Sequence, residues 1–206
     1  MLSDALNFMP MHKWNLIDSE FVINHRWCRV RRDRVKLPSG EVIDDFFVNV
    51  RPDIALVLPI TPEGNVVFVR QYRHGVGEVL LELPAGAFDP EEEEAEAAAK
   101  REFEEETGYQ LDRLNKIATL YDNPVKDTNR IHLFLAEEVE VSGTQALDRT
   151  EEIEVVLVPI SEVSDKIRSG EICVAGTLAA LFLVLSSRFT HPFVRRDAEE
   201  IIFPDN

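Results

Sequence analysis

The stretch from Leu83 to Tyr109 constrains this chain more than any other. It runs Leu83-Pro84-Ala85-Gly86-Ala87-Phe88-Asp89-Pro90, then four glutamates, Glu91 to Glu94, then an Ala- and Glu-rich segment ending at Thr107-Gly108. Leu80 to Leu83 reads as a short strand that ends at Pro84, and a loop follows. Ala95, Ala99 and Phe103 recur every four residues and make one apolar stripe of a helix. Asp89 suits a helix N-cap, Pro90 the first helical position and Glu92 the acid of a capping box. The spacing therefore predicts a helix over 90–107, with a start near Glu94 as the alternative. Gly108 supplies the left-handed residue that ends it. Glu102, Glu105 and Glu106 fall at i, i+3 and i+4 and share one face, read here as exposed. Like charges so placed repel by a few tenths of a kcal/mol per pair. A hard divalent cation, which prefers oxygen ligands, would reverse that sign. Taken alone, such a charge run is also what a solvated helix face looks like.

Around this segment the apolar residues alternate as in strands. Phe21-Val22-Ile23, Trp27 to Val35 and Val42 to Val50 are strand candidates, the last two joined by a Pro38-Ser39-Gly40 turn. A second hairpin joins Ile54 to Ile60 with Val66 to Tyr72 through Thr61-Pro62-Glu63-Gly64-Asn65. Ile117 to Tyr121, Ile131 to Ala136 and Ile153 to Pro159 are further strands; Ser161 to Ser169 and Thr177 to Arg188 are helices. This order predicts a mixed α+β or α/β sandwich of sheet and helices. No solenoid repeat or Pro/Gly/Ser-rich linker divides the 206 residues. The longest apolar run, Val174 to Leu185, is too short to span a bilayer and reads as a buried core helix.

The chain has 38 acidic against 22 basic residues, a formal net charge of −16. An acidic surface repels nucleic-acid phosphates and anionic membranes, so neither is an expected partner. A compact anionic ligand remains open to it where cations or local arginines screen the charge. Cys28 and Cys173 lie far apart, fit a reducing compartment and form no zinc pattern. Met1-Leu2-Ser3-Asp4 lacks the basic-then-apolar start of a signal peptide, and a cytoplasmic location is expected.

The run Arg101-Glu102-Phe103-Glu104-Glu105-Glu106-Thr107-Gly108-Tyr109 resembles the second half of the Nudix hydrolase signature, G-x5-E-x7-R-E-U-x-E-E-x-G-U, with U a bulky apolar residue. The first half departs. Counting back from Arg101 puts Glu93 at the first acid and Ala87 at the position of glycine, with Gly86 one residue early. A one-residue insertion in the loop, with Glu92 or Glu93 as the first acid, accounts for this. Over roughly 14–188 the chain is similar to the ADP-ribose pyrophosphatase branch. The likeness rests on Val69-Arg70-Gln71-Tyr72-Arg73, on Glu82-Leu83-Pro84-Ala85-Gly86 and on Pro124. It extends to Glu151-Glu152-Ile153, Ser169-Gly170-Glu171-Ile172 and Thr177-Leu178-Ala179-Ala180. Lys126-Asp127-Thr128-Asn129-Arg130 departs from the small residues and glutamate that the branch often has after its proline.

The resemblance implies a Nudix-type α/β/α sandwich with a mixed sheet over 51–190. An N-terminal antiparallel β region over 1–50 would serve dimerisation and the nucleotide pocket, and a tail over 191–206 would follow. It implies Mg²⁺-dependent hydrolysis, with Mn²⁺ as a substitute, of the pyrophosphate of a nucleoside diphosphate linked to a group X. The first candidate is ADP-ribose, giving AMP and ribose 5-phosphate. Glu102, Glu105, Glu106 and the Ala85 carbonyl would hold metal, Glu105 also counting as catalytic, and Arg101 would keep the acids in place. Glu151, with Glu152 as its substitute, would be the base. Trp27, placed in a β segment, would stack on the adenine. Arg73 would hold a phosphate or terminal ribose, Glu82 would accept from a ribose hydroxyl, and Gly86 would lie against the substrate. Trp14 reads as packing, and His74 and His132 have no partner legible in the sequence. A homodimer that exchanges N-terminal strands is also implied. Two other readings stay open: a diphosphatase of GDP-mannose, a UDP-sugar or NADH, and a non-catalytic ADP-ribose sensor.

Overall fold

The structure is a computed structural model that describes residues 12–189. The tail expected over 191–206 lies outside the described residues. The chain forms two compact units.

The first unit takes in the chain up to Arg51 and the excursion Asn123–Thr128. Its strands β1 (Asn15–His25), β2 (Cys28–Lys36) and β3 (Val42–Asn49) form an antiparallel meander. Gly40, at φ 92°, makes the expected turn between β2 and β3. The β1–β2 turn holds Arg26 and Trp27, so Trp27 is not in a strand. The excursion is laced to β3. The Asn49 N–H donates to Lys126 O at 2.8 Å, and the Thr128 N–H donates to Asn49 O at 3.1 Å. Asp127 accepts from the Asn49 amide at 2.7 Å and from the Arg51 guanidinium at 3.2 Å. Lys126, Asp127 and Thr128, the first part of the stretch that departs from the family pattern, thus have a structural role inside this unit.

The second unit contains the remaining elements: β4 (Asp53–Ile60), β5 (Asn65–Arg73), β6 (Glu78–Glu82), β7 (Ala85–Phe88), α1 (Ala95–Thr107), β8 (Tyr109–Gln110), β9 (Asn115–Tyr121), β10 (Arg130–Glu137), β11 (Glu140–Val141), β12 (Ile153–Pro159), α2 (Ile160–Arg168) and α3 (Ala175–Phe189). The main sheet has the order β12-β5-β4-β10-β9. β4 and β10 run parallel and the other pairs antiparallel, so the sheet is mixed. Its centre is apolar on both faces because helices cover both. On one face Ala98, Ala99 and Phe103 of α1 meet Ala55, Val57, Val67 and Phe134. On the other, Val163 of α2 and Ala180, Leu181 and Val184 of α3 meet Leu56, Leu58, Phe68 and Leu133. The expected α/β/α sandwich is what forms.

α3 corrects the reading of a wholly buried helix. Only one stripe of a surface helix can face a sheet, and Phe182 and Leu183 lie on the exposed side. Among the described residues no helix is long and apolar enough to cross a membrane.

One irregularity of the sheet shapes the site. β4 and β5 pair only at Ile60 and Val66 and then diverge, β6 adding to β5 and β7 to β4. Residues 85–88, expected as loop, are therefore a strand. Two bonds pin its entry: the Leu83 N–H donates to the buried Thr177 hydroxyl at 3.0 Å, and the Val57 N–H donates to Pro84 O at 3.0 Å.

Candidate active site

Of the two starts the sequence allows, the later one forms: the helix begins at Ala95 with Glu94 as its N-cap, rather than at residue 90. Residues before it form a separate turn. Asp89 Oδ1 accepts from the Glu91 N–H at 3.0 Å, and its carbonyl accepts from the N–H groups of Glu92 and Glu93. The break has a consequence for charge pairing. Eight residues of continuous helix would separate Glu93 from Arg101 by about 12 Å along the axis. Folded back, Glu93 receives Arg101 Nη2 at 2.8 Å and Nε at 3.1 Å in a bidentate pair. Glu93, rather than Glu92, is the acid that Arg101 holds. Arg101 Nη1 also reaches Glu102 at 2.8 Å and Glu105 at 3.2 Å, so one guanidinium gathers three carboxylates.

Glu102 rests on β7. A Cβ added to Gly86 would lie 1.9 Å from Glu102 Cδ and 2.3 Å from its Cγ. Glycine at 86 is thus the seat of the Glu102 side chain. Glu106 corrects the expectation of an exposed acid: it is 5% exposed, and its carboxylate accepts from the Ala85 N–H at 3.1 Å. The turn of helix that carries it lies over β7. Gly108, at φ 70°, ends α1 as expected, its N–H donating to Glu104 O at 2.9 Å.

Burial raises the Glu102 carboxyl above its ordinary value; Arg101 opposes this, and Glu105 and Glu151 add to it. Burial likewise pushes Glu106 up to about 8. The Ala85 N–H and Arg73 oppose that rise, while Glu102 and Glu151 reinforce it. Arg73 and Glu151 therefore act on the same cluster. Arg73 Nε also holds the buried Glu82 at 2.7 Å. Among the described residues no three His, Cys, Asp or Glu groups close around one centre. The donor set nonetheless suits a hard divalent cation. It is all oxygen, partly buried and short of positive charge, and a cation there would favour the ionised carboxylates that burial disfavours.

Residues 50–174 match the NUDIX domain family, and residues 14–49 match the nucleoside diphosphate sugar hydrolase N-terminal domain. The chain belongs to the Nudix hydrolases. This Nudix hydrolase acts on pyrophosphate bonds, the chemistry its signature carries. It is 36% identical over 148 residues to the ADP-ribose pyrophosphatase of Bacillus subtilis (strain 168), covering 71% of this chain and 79% of that protein. It is 35% identical over 135 residues to the GDP-mannose pyrophosphatase of Cronobacter sakazakii (strain ATCC BAA-894), covering 62% of this chain and 70% of that one. A solved structure described as an ADP compounds hydrolase superposes with a TM-score of 0.76 at 22% identity, over 86% of this chain and 95% of the other, a likeness of fold.

In this Nudix hydrolase, then, Ala85, Gly86, Glu93, Arg101, Glu102, Glu105 and Glu106 stand together, with Arg73 and Glu82 on the neighbouring hairpin. Glu82 is engaged by Arg73, and Gly86 lies under Glu102; these are the contacts the structure gives the two residues placed against substrate. Glu151 accepts from the Asp148 N–H at 2.9 Å, and Glu152 beside it is exposed. Trp27 belongs to the other unit. It is 75% exposed, with the Arg26 guanidinium 4.9 Å from its ring centroid, and so is not a core tryptophan. Trp14 packs edge-on to Phe46 at 5.5 Å. His132 has a partner after all: its Nε2 lies 2.9 Å from Asp53 in a buried pair. His74 lies 3.2 Å from the Tyr72 hydroxyl. Sequence reasoning missed Gln145, whose amide contacts α1 and β12; a lone glutamine in a loop gives no signal.

Proposed function

We propose that this Nudix hydrolase cleaves ADP-ribose to AMP and ribose 5-phosphate with Mg²⁺, Mn²⁺ serving as a substitute. The observation that carries the chemistry is Glu102 seated on Gly86 beside the buried Glu106. ADP-ribose is favoured by the likeness to the Bacillus subtilis pyrophosphatase. Glu102, Glu105, Glu106 and the Ala85 carbonyl would hold the metal. When bound, Mg²⁺ neutralises diphosphate charge and makes water a better nucleophile. Arg101 spaces the three acids it grips, which restrains their mutual repulsion. Arg73 presents a cation to the diphosphate, and Glu82 fixes its direction. Glu151 takes the proton of the attacking water, with Glu152 as its substitute.

The first unit, residues 1–50 in this reading, completes a homodimer and its nucleotide pocket. Leu16, Phe21, Val22 and Ile23 of β1 are about half exposed, which is apolar surface that a second copy would cover. Two free, exposed cysteines suit a reducing, cytoplasmic setting.

Product analysis with Mg²⁺ tests the reading. ADP-ribose is expected to give AMP and ribose 5-phosphate faster than GDP-mannose, UDP-glucose or NADH is cleaved. A best rate on GDP-mannose would favour the second reading, which the Cronobacter sakazakii relative supports. Binding of ADP-ribose without cleavage would leave only the sensor. Trp27→Ala is expected to raise KM for ADP-ribose roughly tenfold, since stacking on a base contributes about 1–3 kcal/mol, with a smaller effect on kcat. An unchanged KM removes Trp27 from the pocket.

A further inference from the structure

The loop between β11 and β12 carries Glu151, and it is tied to α1. The N–H groups of Ser142 and Gly143 donate to Gly108 O at 3.2 and 3.0 Å, and the Ala146 N–H donates to Glu105 O at 2.8 Å. Gln145 reaches two elements with one side chain. Its Nε2 donates to Glu106 O at 2.7 Å and to Ile153 O at 3.1 Å. One amide thus joins the last turn of the acid-bearing helix to the first residue of β12, two residues beyond Glu151. Between these anchors Glu151 closes a turn of its own, its N–H donating to Asp148 O at 2.9 Å and its carboxylate accepting from the Asp148 N–H at 2.9 Å. Gln145 and Ile153, which its amide joins, bracket that turn.

The last carbonyls of a helix have no partner within it, so a capping role alone would explain the bond to Glu106 O. It would not explain the bond to Ile153 O, which draws the far end of the loop to the same point.

We infer that Gln145 is a positioning residue that acts through Glu151, clamping its loop to the end of α1 so that the carboxylate is held at the acid cluster. The inference rests on the reading of Glu151 as the base.

A double-mutant cycle on kcat tests it, in the full chain with Mg²⁺ and ADP-ribose, or whichever panel nucleotide is cleaved best. Gln145→Ala is expected to lower kcat roughly 10- to 100-fold, the scale of a displaced catalytic group, with KM within about twofold. Gln145→Glu, which keeps the length but not the donor, is expected to match it, and serves if the alanine variant folds poorly. Glu151→Gln is expected to lower kcat about 100-fold or more. The combined variant is expected to be no slower than Glu151→Gln alone. Multiplying effects, or wild-type kcat in both Gln145 variants, would overturn the inference. A lower melting temperature with unchanged kcat would show a helix cap only, and overturns it too. Wild-type kcat in Glu151→Gln would instead sink the base assignment, a result separable from any failure at Gln145.

Discussion

Glu106→Gln is expected to lower kcat at least about a thousandfold while the protein stays folded. The rate loss follows from removing an anionic oxygen donor from a site whose cation supplies several kcal/mol of transition-state stabilisation, each ~1.4 kcal/mol being a factor of ten. Survival of the fold follows from burial. Glutamine has the same shape, and its amide oxygen can still accept from the Ala85 N–H. The metal-free variant should even be the more stable protein at neutral pH. A carboxyl raised from 4.5 to about 8 in the folded state costs stability progressively as the pH climbs from 4.5 through 8. Glutamine carries no such cost, so in chelator the gain in melting temperature should vanish below about pH 4.5. Turnover near the wild-type rate would remove Glu106 from the metal set.

The second large effect is expected at a residue with no functional group. Gly86→Ala places a methyl where Glu102 Cδ now lies, 1.9 Å away. The obstacle is the end of a flexible side chain, so Glu102 swings aside and the fold persists, at a cost on the order of 1 kcal/mol. Leaving its seat, the carboxylate loses its 2.8 Å contact with Arg101 and its place beside Glu106. A displacement of about 1 Å at a reacting centre can cost a hundredfold. The variant should therefore show kcat down about a hundredfold and a raised Mg²⁺ requirement, with a nearly unchanged melting temperature. Full activity at ordinary Mg²⁺ would show that Glu102 works from another position.

The strands and helices of the second unit were legible because burial dictates their pattern. Residues 54–60 are apolar throughout because helices cover both faces of that strand, and Ala99 and Phe103 repeat at the helical period because one face packs. β7 was not legible: Ala85-Gly86-Ala87-Phe88 has little strand propensity and is a strand only because β4, parted from β5, offers it an open edge. The earlier of the two helix starts, at residue 90, failed for a related reason, while the alternative near Glu94 is the one that forms. Asp89, Pro90 and Glu92 carry the local signals of an N-terminus, but the pull of Arg101 on Glu93 is a tertiary effect that no local rule contains. The acids of the helix face could be read from spacing, whereas their burial could not, since a glutamate looks the same whether it faces water or Ala85. Trp27 was assigned to a strand by its neighbours, yet it occupies the turn.

The turn closed by Asp89 gives the signature an expansion joint. Its bonds are made within 89–93, and α1 begins afresh at Ala95. Glu93 is returned to Arg101 by a bend at the spacing the signature gives, so the added residue lies between Gly86 and Glu93. An added residue is taken up as slack ahead of the helix, and the Arg101-to-Gly108 half keeps its phase against β7. Spacing in the first half of such a motif reports the length of a tether, and spacing in the second half reports the geometry of the chemistry.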